Sequence, residues 1–202
     1  MITIVDYGMG NLGSLKNMFK RIGVKADIVS DVSIIENAKK IILPGVGSFD
    51  AAMKSINNIT GLIEILNNKA QIDRVPILGI CLGMQLLTRS SEEGGSKGLN
   101  WIPATTKRIP NIEGIKVPHM GWNNVIVNRS NSLLKNINHD SRYYFVHSFC
   151  VHVEDAKYSL MKTNYGVNFD SAICKDNIYG VQFHPEKSHR FGMEILKNFS
   201  DL

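Results

Sequence analysis

The sequence predicts an open, mostly parallel α/β sheet flanked by helices, with an antiparallel β excursion in the same chain. Three observations carry this. Short apolar runs alternate with helical periodicities through the first half. The second half holds β-rich runs separated by turn signals. The 202 residues are 44% hydrophobic, enough for a sizeable core. Strands that alternate with helices imply parallel βαβ units covered on both faces. The length suits a single domain over residues 1–202.

Taken in order, Ile2 to Asp6 is a short β-branched run. Leu12, Leu15, Met18, Phe19 and Ile22 then recur three and four apart, as on one helix face. Ala26 to Val29 and Lys40 to Leu43 read as buried strands, and Pro44-Gly45-Val46-Gly47 as a turn. Asp50 to Leu66 is helical with a break near Thr60-Gly61. Pro76 to Ile80 is another apolar strand, and Leu82 to Arg89 starts a helix. Residues 101–127 and 143–183 supply the β-rich excursion, with an asparagine-rich surface connection over 128–141. Ser188 to Phe199 closes with Phe191, Ile195, Leu196 and Phe199 at helical spacing.

Several function classes are excluded on composition. The formal net charge of +5 comes without any Lys/Arg-rich run or zinc-like Cys/His spacing, so nucleic-acid binding is not expected. No apolar run approaches about 18 residues, so no membrane span is expected. The apolar start is too short for a signal peptide. The three cysteines, Cys81, Cys150 and Cys174, form no close pair. That pattern fits a reducing cytoplasm and leaves one thiol free to work.

Cys81 is the candidate. Gly79-Ile80-Cys81-Leu82-Gly83 follows a strand and opens a helix, the G-x-nucleophile-x-G pattern with cysteine in the serine's place. Such a turn lifts the thiol above the strand ends, where open α/β sheets bind ligands. A lone cysteine in a Gly-rich turn is more often a core residue; the double glycine frame tips the balance. Cys150 and Cys174 sit inside apolar runs with no such frame and read as structural.

A base for that thiol must also stand at a strand end. Tyr179 to Phe183 reads as a strand and His184-Pro185-Glu186 follows it. Proline ends the ladder and keeps Glu186 close enough to orient the imidazole. By itself the tripeptide is an ordinary surface turn; with Cys81 it becomes a base and its carboxylate. His139 falls in the asparagine-rich stretch and reads as exposed, while His152 and His189 lack a framed nucleophile nearby. Attack on an amide also builds an oxyanion that needs fixed N–H donors. The Leu82 amide is one. The Pro44–Phe49 loop could supply another, although by itself it is a plain βα turn.

These features together resemble the triad (class I) glutamine amidotransferases, nearest the branch that provides the glutaminase subunit of imidazole glycerol phosphate synthase. The likeness spans nearly the whole chain. It rests on Asp6-Tyr7-Gly8-Met9-Gly10-Asn11-Leu12, on Leu43 to Phe49, on Gly79 to Leu87 and on Ser91-Glu92-Glu93-Gly94. It continues through Pro118-His119-Met120-Gly121-Trp122-Asn123, Tyr144 to Ser148 and Gly180 to Ser188. The resemblance implies a flavodoxin-like fold, L-glutamine as substrate and no metal or cofactor. It implies Cys81 as nucleophile, His184 as base and acid, and Glu186 as its orienting carboxylate. The Val46 and Leu82 amides would form the oxyanion hole. Gly47, Gln85, Glu93 and the Ser148 and Phe149 backbone would hold the amino-acid end. Glu93 suits an α-ammonium on charge grounds, though as a bare sequence Glu92-Glu93 is a solvated acidic pair.

The resemblance also implies a (β/α)8 cyclase partner in a heterodimer of histidine biosynthesis, with Asn11, Trp122 and Lys187 on the shared face. Trp122 reads equally well as an anchor or a core residue, and His147 as a structural residue beside the pocket. Phe149 stands where the family commonly has tyrosine. Lys187-Ser188-His189-Arg190-Phe191-Gly192 resembles members that feed surface-sugar amidation as well as the histidine type, so a nucleotide-sugar or polysaccharide acceptor is an alternative. A stand-alone γ-glutamyl hydrolase is a second, and a non-enzymatic module on the same fold a third.

Overall fold

The computed structural model describes residues 1–138 and 140–202; His139 lies outside the described residues. The first half runs β1 (Ile2–Val5), α1 (Leu12–Arg21), β2 (Ala26–Val29), α2 (Val32–Glu36), β3 (Ile41–Leu43), α3 (Phe49–Asn58) and α4 (Leu62–Asn67). It ends with β4 (Ile77–Ile80) and α5 (Leu82–Leu86). The second half runs β5 (Ala104–Arg108), β6 (His119–Asn124), β7 (Ile126–Val127), β8 (Arg142–His147) and β9 (Phe149–Val153). It closes with β10 (Ser159–Tyr165), β11 (Val167–Lys175), β12 (Ile178–Val181) and α6 (His189–Asp201).

The parallel part of the sheet has the order β2–β1–β3–β4–β12. From β12 the sheet continues antiparallel through β11, β10 and β7, and β9 and β5 branch from β11. The excursion is therefore mostly an extension of the main sheet. Among the described residues, only β6 and β8 pair apart from it, as a two-stranded ribbon.

Period-two alternation builds a core on each face. Ile2, Ile4 and Leu78 pack with Leu15, Phe19 and Phe199. Val5, Leu43 and Ile77 pack with Phe49, Ile56 and Leu66 on the other side. Each such fully buried side chain contributes roughly 1.5–3 kcal/mol. β2 is the exception to the expected burial. As the edge strand it leaves Ile28 partly exposed.

Two expected spans shorten or tighten. α5 stops at Leu86 rather than running to Arg89. The Thr88 hydroxyl takes the Gln85 carbonyl at 2.7 Å, and the Arg89 amide turns to Ala104; such side-chain bonds compete with the helix ladder. Within the 128–141 connection, Ser132–Leu134 forms a 3-10 turn that buries Leu133 and Leu134. Asn198 on α6 donates to the Leu133 and Lys135 carbonyls at 3.0 and 2.7 Å. No helix among the described residues is long and apolar enough to cross a membrane.

Because β1, β3, β4 and β12 are parallel, their C-terminal ends share one edge. From that edge leave Tyr7, Pro44, Cys81 and the Gln182–His184 segment. This is where ligands bind open α/β sheets.

Candidate active site

Cys81 joins β4 to α5 with φ 54° and ψ −109°. Positive φ is strained for a residue with a Cβ, so the surroundings must hold it. Its amide donates to Val181 of β12 at 2.8 Å. The flanking glycines are a steric requirement. A Cβ on Gly79 would lie 2.6 Å from the Gly83 carbonyl oxygen, and one on Gly83 would lie 1.8 Å from the Leu43 carbonyl oxygen. The sharp turn thus presses the first turn of α5 onto the ends of β3 and β4.

His184 arrives from the next strand. Its Nδ1 lies 2.8 Å from Glu186 Oε1, and both side chains are buried. The imidazole and the Cys81 thiol line the same cleft. Burial alone would depress its pKa. The Cys81 and Glu186 contacts outweigh that and raise it to about 10, which favours an imidazolium in the site. The segment is held from behind. The His184 amide donates to Tyr144 at 2.9 Å, and the Ser188 hydroxyl donates to the His184 carbonyl at 2.6 Å. Thiol, imidazole and carboxylate in this arrangement are what nucleophilic acyl transfer requires.

The thiol has two further neighbours. It donates to the Val146 carbonyl at 3.8 Å, and Gln182 Nε2 donates to the sulfur at 3.7 Å. Sequence reasoning did not single out Gln182. The signal was there: an amide inside the apolar run Tyr179–Phe183 needs buried partners.

Pro44-Gly45-Val46-Gly47 leaves β3 alongside Cys81. Gly45 has no room for a side chain, since a Cβ would meet Leu82 Cβ at 2.8 Å and the Gly83 amide at 2.9 Å. Gly47 sits at φ 126°, a conformation that favours glycine. Val46 between them is about half exposed. Tyr7, also missed from the sequence, is buried beneath the loop, and its hydroxyl donates to the Pro44 carbonyl. Burial and then the Cys81 charge push the Tyr7 phenol well above its ordinary pKa, so it stays a donor.

A cleft of about 340 Å³ opens over these groups. It brings together Cys81, His184 and Glu186 with Val46, Gly47, Leu82, Gln85 and Glu93, and with Ser148 and Phe149. Glu92 and Glu93 are not a freely solvated pair. Glu93 Oε2 accepts the Phe49 amide at the start of α3 at 2.8 Å, and Glu92 Oε2 accepts the Arg108 amide at 2.8 Å. Gln85 Nε2 donates to the Phe149 carbonyl at 3.0 Å and to Gln182 at 3.3 Å.

Asn11 and Lys187 line the rim of the cleft. Trp122 does not line it. It stands on the ribbon, 42% exposed, stacked on His189 at 5.5 Å and capped by Arg142. A core role for Trp122 is therefore wrong, because β6 turns it outward. Cys150 and Cys174 are buried elsewhere, with pKa values pushed up mainly by burial to about 12 and about 11.

An elbow at the strand ends that carries a thiol, beside a histidine–carboxylate pair, has the geometry of a cysteine-dependent acyl-transfer site on an α/β sheet. The class-I glutamine amidotransferase family model matches residues 3–201, and the chain belongs to that family. It is 55% identical over 199 residues to "Imidazole glycerol phosphate synthase subunit HisH 2" of Methanococcus maripaludis, covering 98% of each chain. It is 49% identical to the protein called subunit HisH in Bdellovibrio bacteriovorus, covering both chains completely. Its fold is similar to a crystal structure titled as a glutamine amidotransferase, with TM-score 0.76 at 16% identity, covering 99% of this chain and 100% of that one. It also resembles the structure of PurLQS from Thermotoga maritima, with TM-score 0.72 at 17% identity and 99% and 97% coverage.

Proposed function

We propose that this chain is the glutaminase subunit of an imidazole glycerol phosphate synthase, a single amidotransferase domain over 1–202 working in the cytoplasm as a heterodimer with a (β/α)8 cyclase. Cys81 Sγ attacks the side-chain amide carbon of L-glutamine. The Val46 and Leu82 amides receive the oxyanion. His184 gives a proton to the departing ammonia and leaves a thioester. It then takes a proton from the water that releases glutamate, while Glu186 keeps its ring in place. Glu93 takes the α-ammonium, with Gly47, Gln85 and the Ser148–Phe149 backbone around the amino-acid end. Ammonia leaves past the rim at Asn11 and Lys187, which meet the cyclase together with Trp122 on the ribbon.

The observation that carries this reading is the alignment of Cys81, His184 and Glu186 beneath one cleft, in a chain so similar over its full length to HisH subunits. Glutamate release should be slow for the chain alone and rise with the cyclase and again with its acceptor ligand. Full activity alone, indifferent to both additions, would instead indicate a stand-alone hydrolase. A sugar precursor as acceptor is the second reading. It rests on the Lys187–Gly192 segment, which resembles members that feed surface-sugar amidation and which runs into the start of α6 beside Trp122. Reconstitution with each type of partner separates the two.

A further inference from the structure

Two histidines that the proposed chemistry does not use lie buried on the two strands of the ribbon, one of them, His147, in the wall of the cleft. His119 on β6 and His147 on β8 face each other in register. Their hydrogen bonds can run in only one direction. The Phe149 carbonyl can only accept, so His147 Nδ1, 2.8 Å away, carries a proton and donates to it. Burial first, then His119, holds the His147 pKa down to about 3, and burial holds that of His119 at about 4. Both rings are therefore neutral, with one proton each. His147 Nε2 must then accept, and His119 Nδ1 donates to it at 3.0 Å. That leaves His119 Nε2 to accept from Asn123 Nδ2 at 3.3 Å, while Asn123 also donates to the Asn164 carbonyl at 2.9 Å. His119 cannot tip out of line, because it is stacked between Tyr165 at 3.9 Å and Phe145 at 4.8 Å.

The relay ends at the cleft wall. The Phe149 carbonyl accepts from both His147 and Gln85, which fills its two lone pairs. The Ser148 carbonyl is taken by the Ile109 amide at 2.9 Å. With the Phe149 carbonyl filled and the Ser148 carbonyl bonded to the Ile109 amide, the segment is suited to offer a ligand its N–H groups, as a carboxylate requires. Glu93 lines the same cleft with the opposite preference.

We propose that His147, with its tautomer set by His119, is a positioning residue that locks the Ser148–Phe149 peptide in the orientation that receives the α-carboxylate of the substrate. The proposal rests on the glutamine reading of the cleft and adds to it the residue that fixes the carboxylate end. It also makes recognition of the amino-acid end depend on the ribbon that carries Trp122.

The test uses 6-diazo-5-oxo-L-norleucine, a glutamine analogue that alkylates the thiol, on the full chain, with iodoacetamide as a measure of thiol access alone. His147→Phe keeps ring volume and loses the donor. It should raise the half-saturating analogue concentration ~3–10-fold, the worth of one neutral hydrogen bond. The limiting alkylation rate and the iodoacetamide rate should stay within about 3-fold. His147→Asn, whose amide can replace the Nδ1 donor, should recover most of that loss. His119→Phe should give a smaller rise in the same constant. A merely structural role would move all three rates together or none, and either result overturns the proposal. Ring 15N spectra of the unmutated chain give a check that needs no variant to fold: His147 and His119 should both be protonated on Nδ1, and a proton on His147 Nε2 overturns the relay. If iodoacetamide labels Cys81 of the unmutated chain and the analogue does not, the glutamine reading itself fails and the carboxylate assignment with it; the spectra still judge the relay separately.

Discussion

The two backbone segments that meet over the thiol are built on opposite plans. The Cys81 elbow has no slack. Its glycines touch neighbouring backbone, its amide is bonded to β12, and its strained φ is held on every side. The Pro44–Gly47 loop is anchored only from behind, through the Tyr7 hydroxyl and the tight fit of Gly45, while Val46 faces outward between two glycines. A nucleophile benefits from a fixed position. An amide that must become an oxyanion donor on demand benefits from a hinge. Misaiming one such donor costs ~10²–10³ in rate, so if Val46 is the donor proposed above, a peptide rotation there would suffice as a switch for the proposed partner to control.

The contrast can be broken at its rigid end first. Cys81→Ala should abolish glutamine hydrolysis, a loss of at least ~10⁴-fold, while thermal unfolding and partner binding stay near those of the unmutated chain. Labelling of Cys150 or Cys174 with activity retained would refute it. His184→Ala should cost nearly as much. Glu186→Gln should cost about one to two orders of magnitude less, since the orienting member is the most replaceable; kcat measurements on the three variants decide the order.

Gly83→Ala tests the steric half of the comparison. A Cβ so close to the Leu43 carbonyl must displace β3 or α5. The expected cost is about 3 kcal/mol or more, read as a drop in the denaturant midpoint. Gly47→Ala, in the loop with fewer anchors, should instead lose mainly activity, since only its positive φ and the flexible Met9 terminus oppose it.

Acid separates both segments from the histidines beneath β8 and β9. His147 and His119 have depressed pKa values in the folded protein, about 3 and about 4. Above pH 6.5 they are neutral folded or unfolded and contribute no pH dependence. As pH falls below about 6.5, the unfolded chain binds protons that the folded chain refuses, and stability declines. For His147 alone the loss at pH 5 is about 2 kcal/mol. His184 has the opposite sign. Its raised pKa contributes stability that is complete below pH 6.5 and is lost as pH climbs towards about 10. Urea unfolding across pH should therefore show two limbs, with the acid limb flattened in His147→Phe.

The smallest expected effect is at the hinge's anchor. Tyr7→Phe removes the bond to the Pro44 carbonyl and should cost about 1 kcal/mol of stability. It should also lower kcat several-fold with little change in KM for glutamine. Unchanged kcat would mean that Gly45 packing alone aims the loop.

What could be read from the sequence alone was whatever depends on near neighbours. The strand–helix alternation is a periodicity of single segments, and it held, with α5 shortened only because Thr88 captures the Gln85 carbonyl. The glycine frame of Cys81 and the two-residue reach from His184 to Glu186 are local geometry, visible in a dozen residues. Placing Cys81 beside His184 is different. It depends on β4 pairing in parallel with β12, Gly79 against Gly180 and Ile80 against Val181, across about a hundred residues of chain. No local pattern specifies that pairing; burial of both strands on two faces does. The same holds for Tyr7 under Pro44, Gln182 against the thiol, and His119 against His147. Each is a buried polar group whose partner lies on another element. Its role is set by which donor or acceptor the fold brings within hydrogen-bonding distance, and only the tertiary structure decides that.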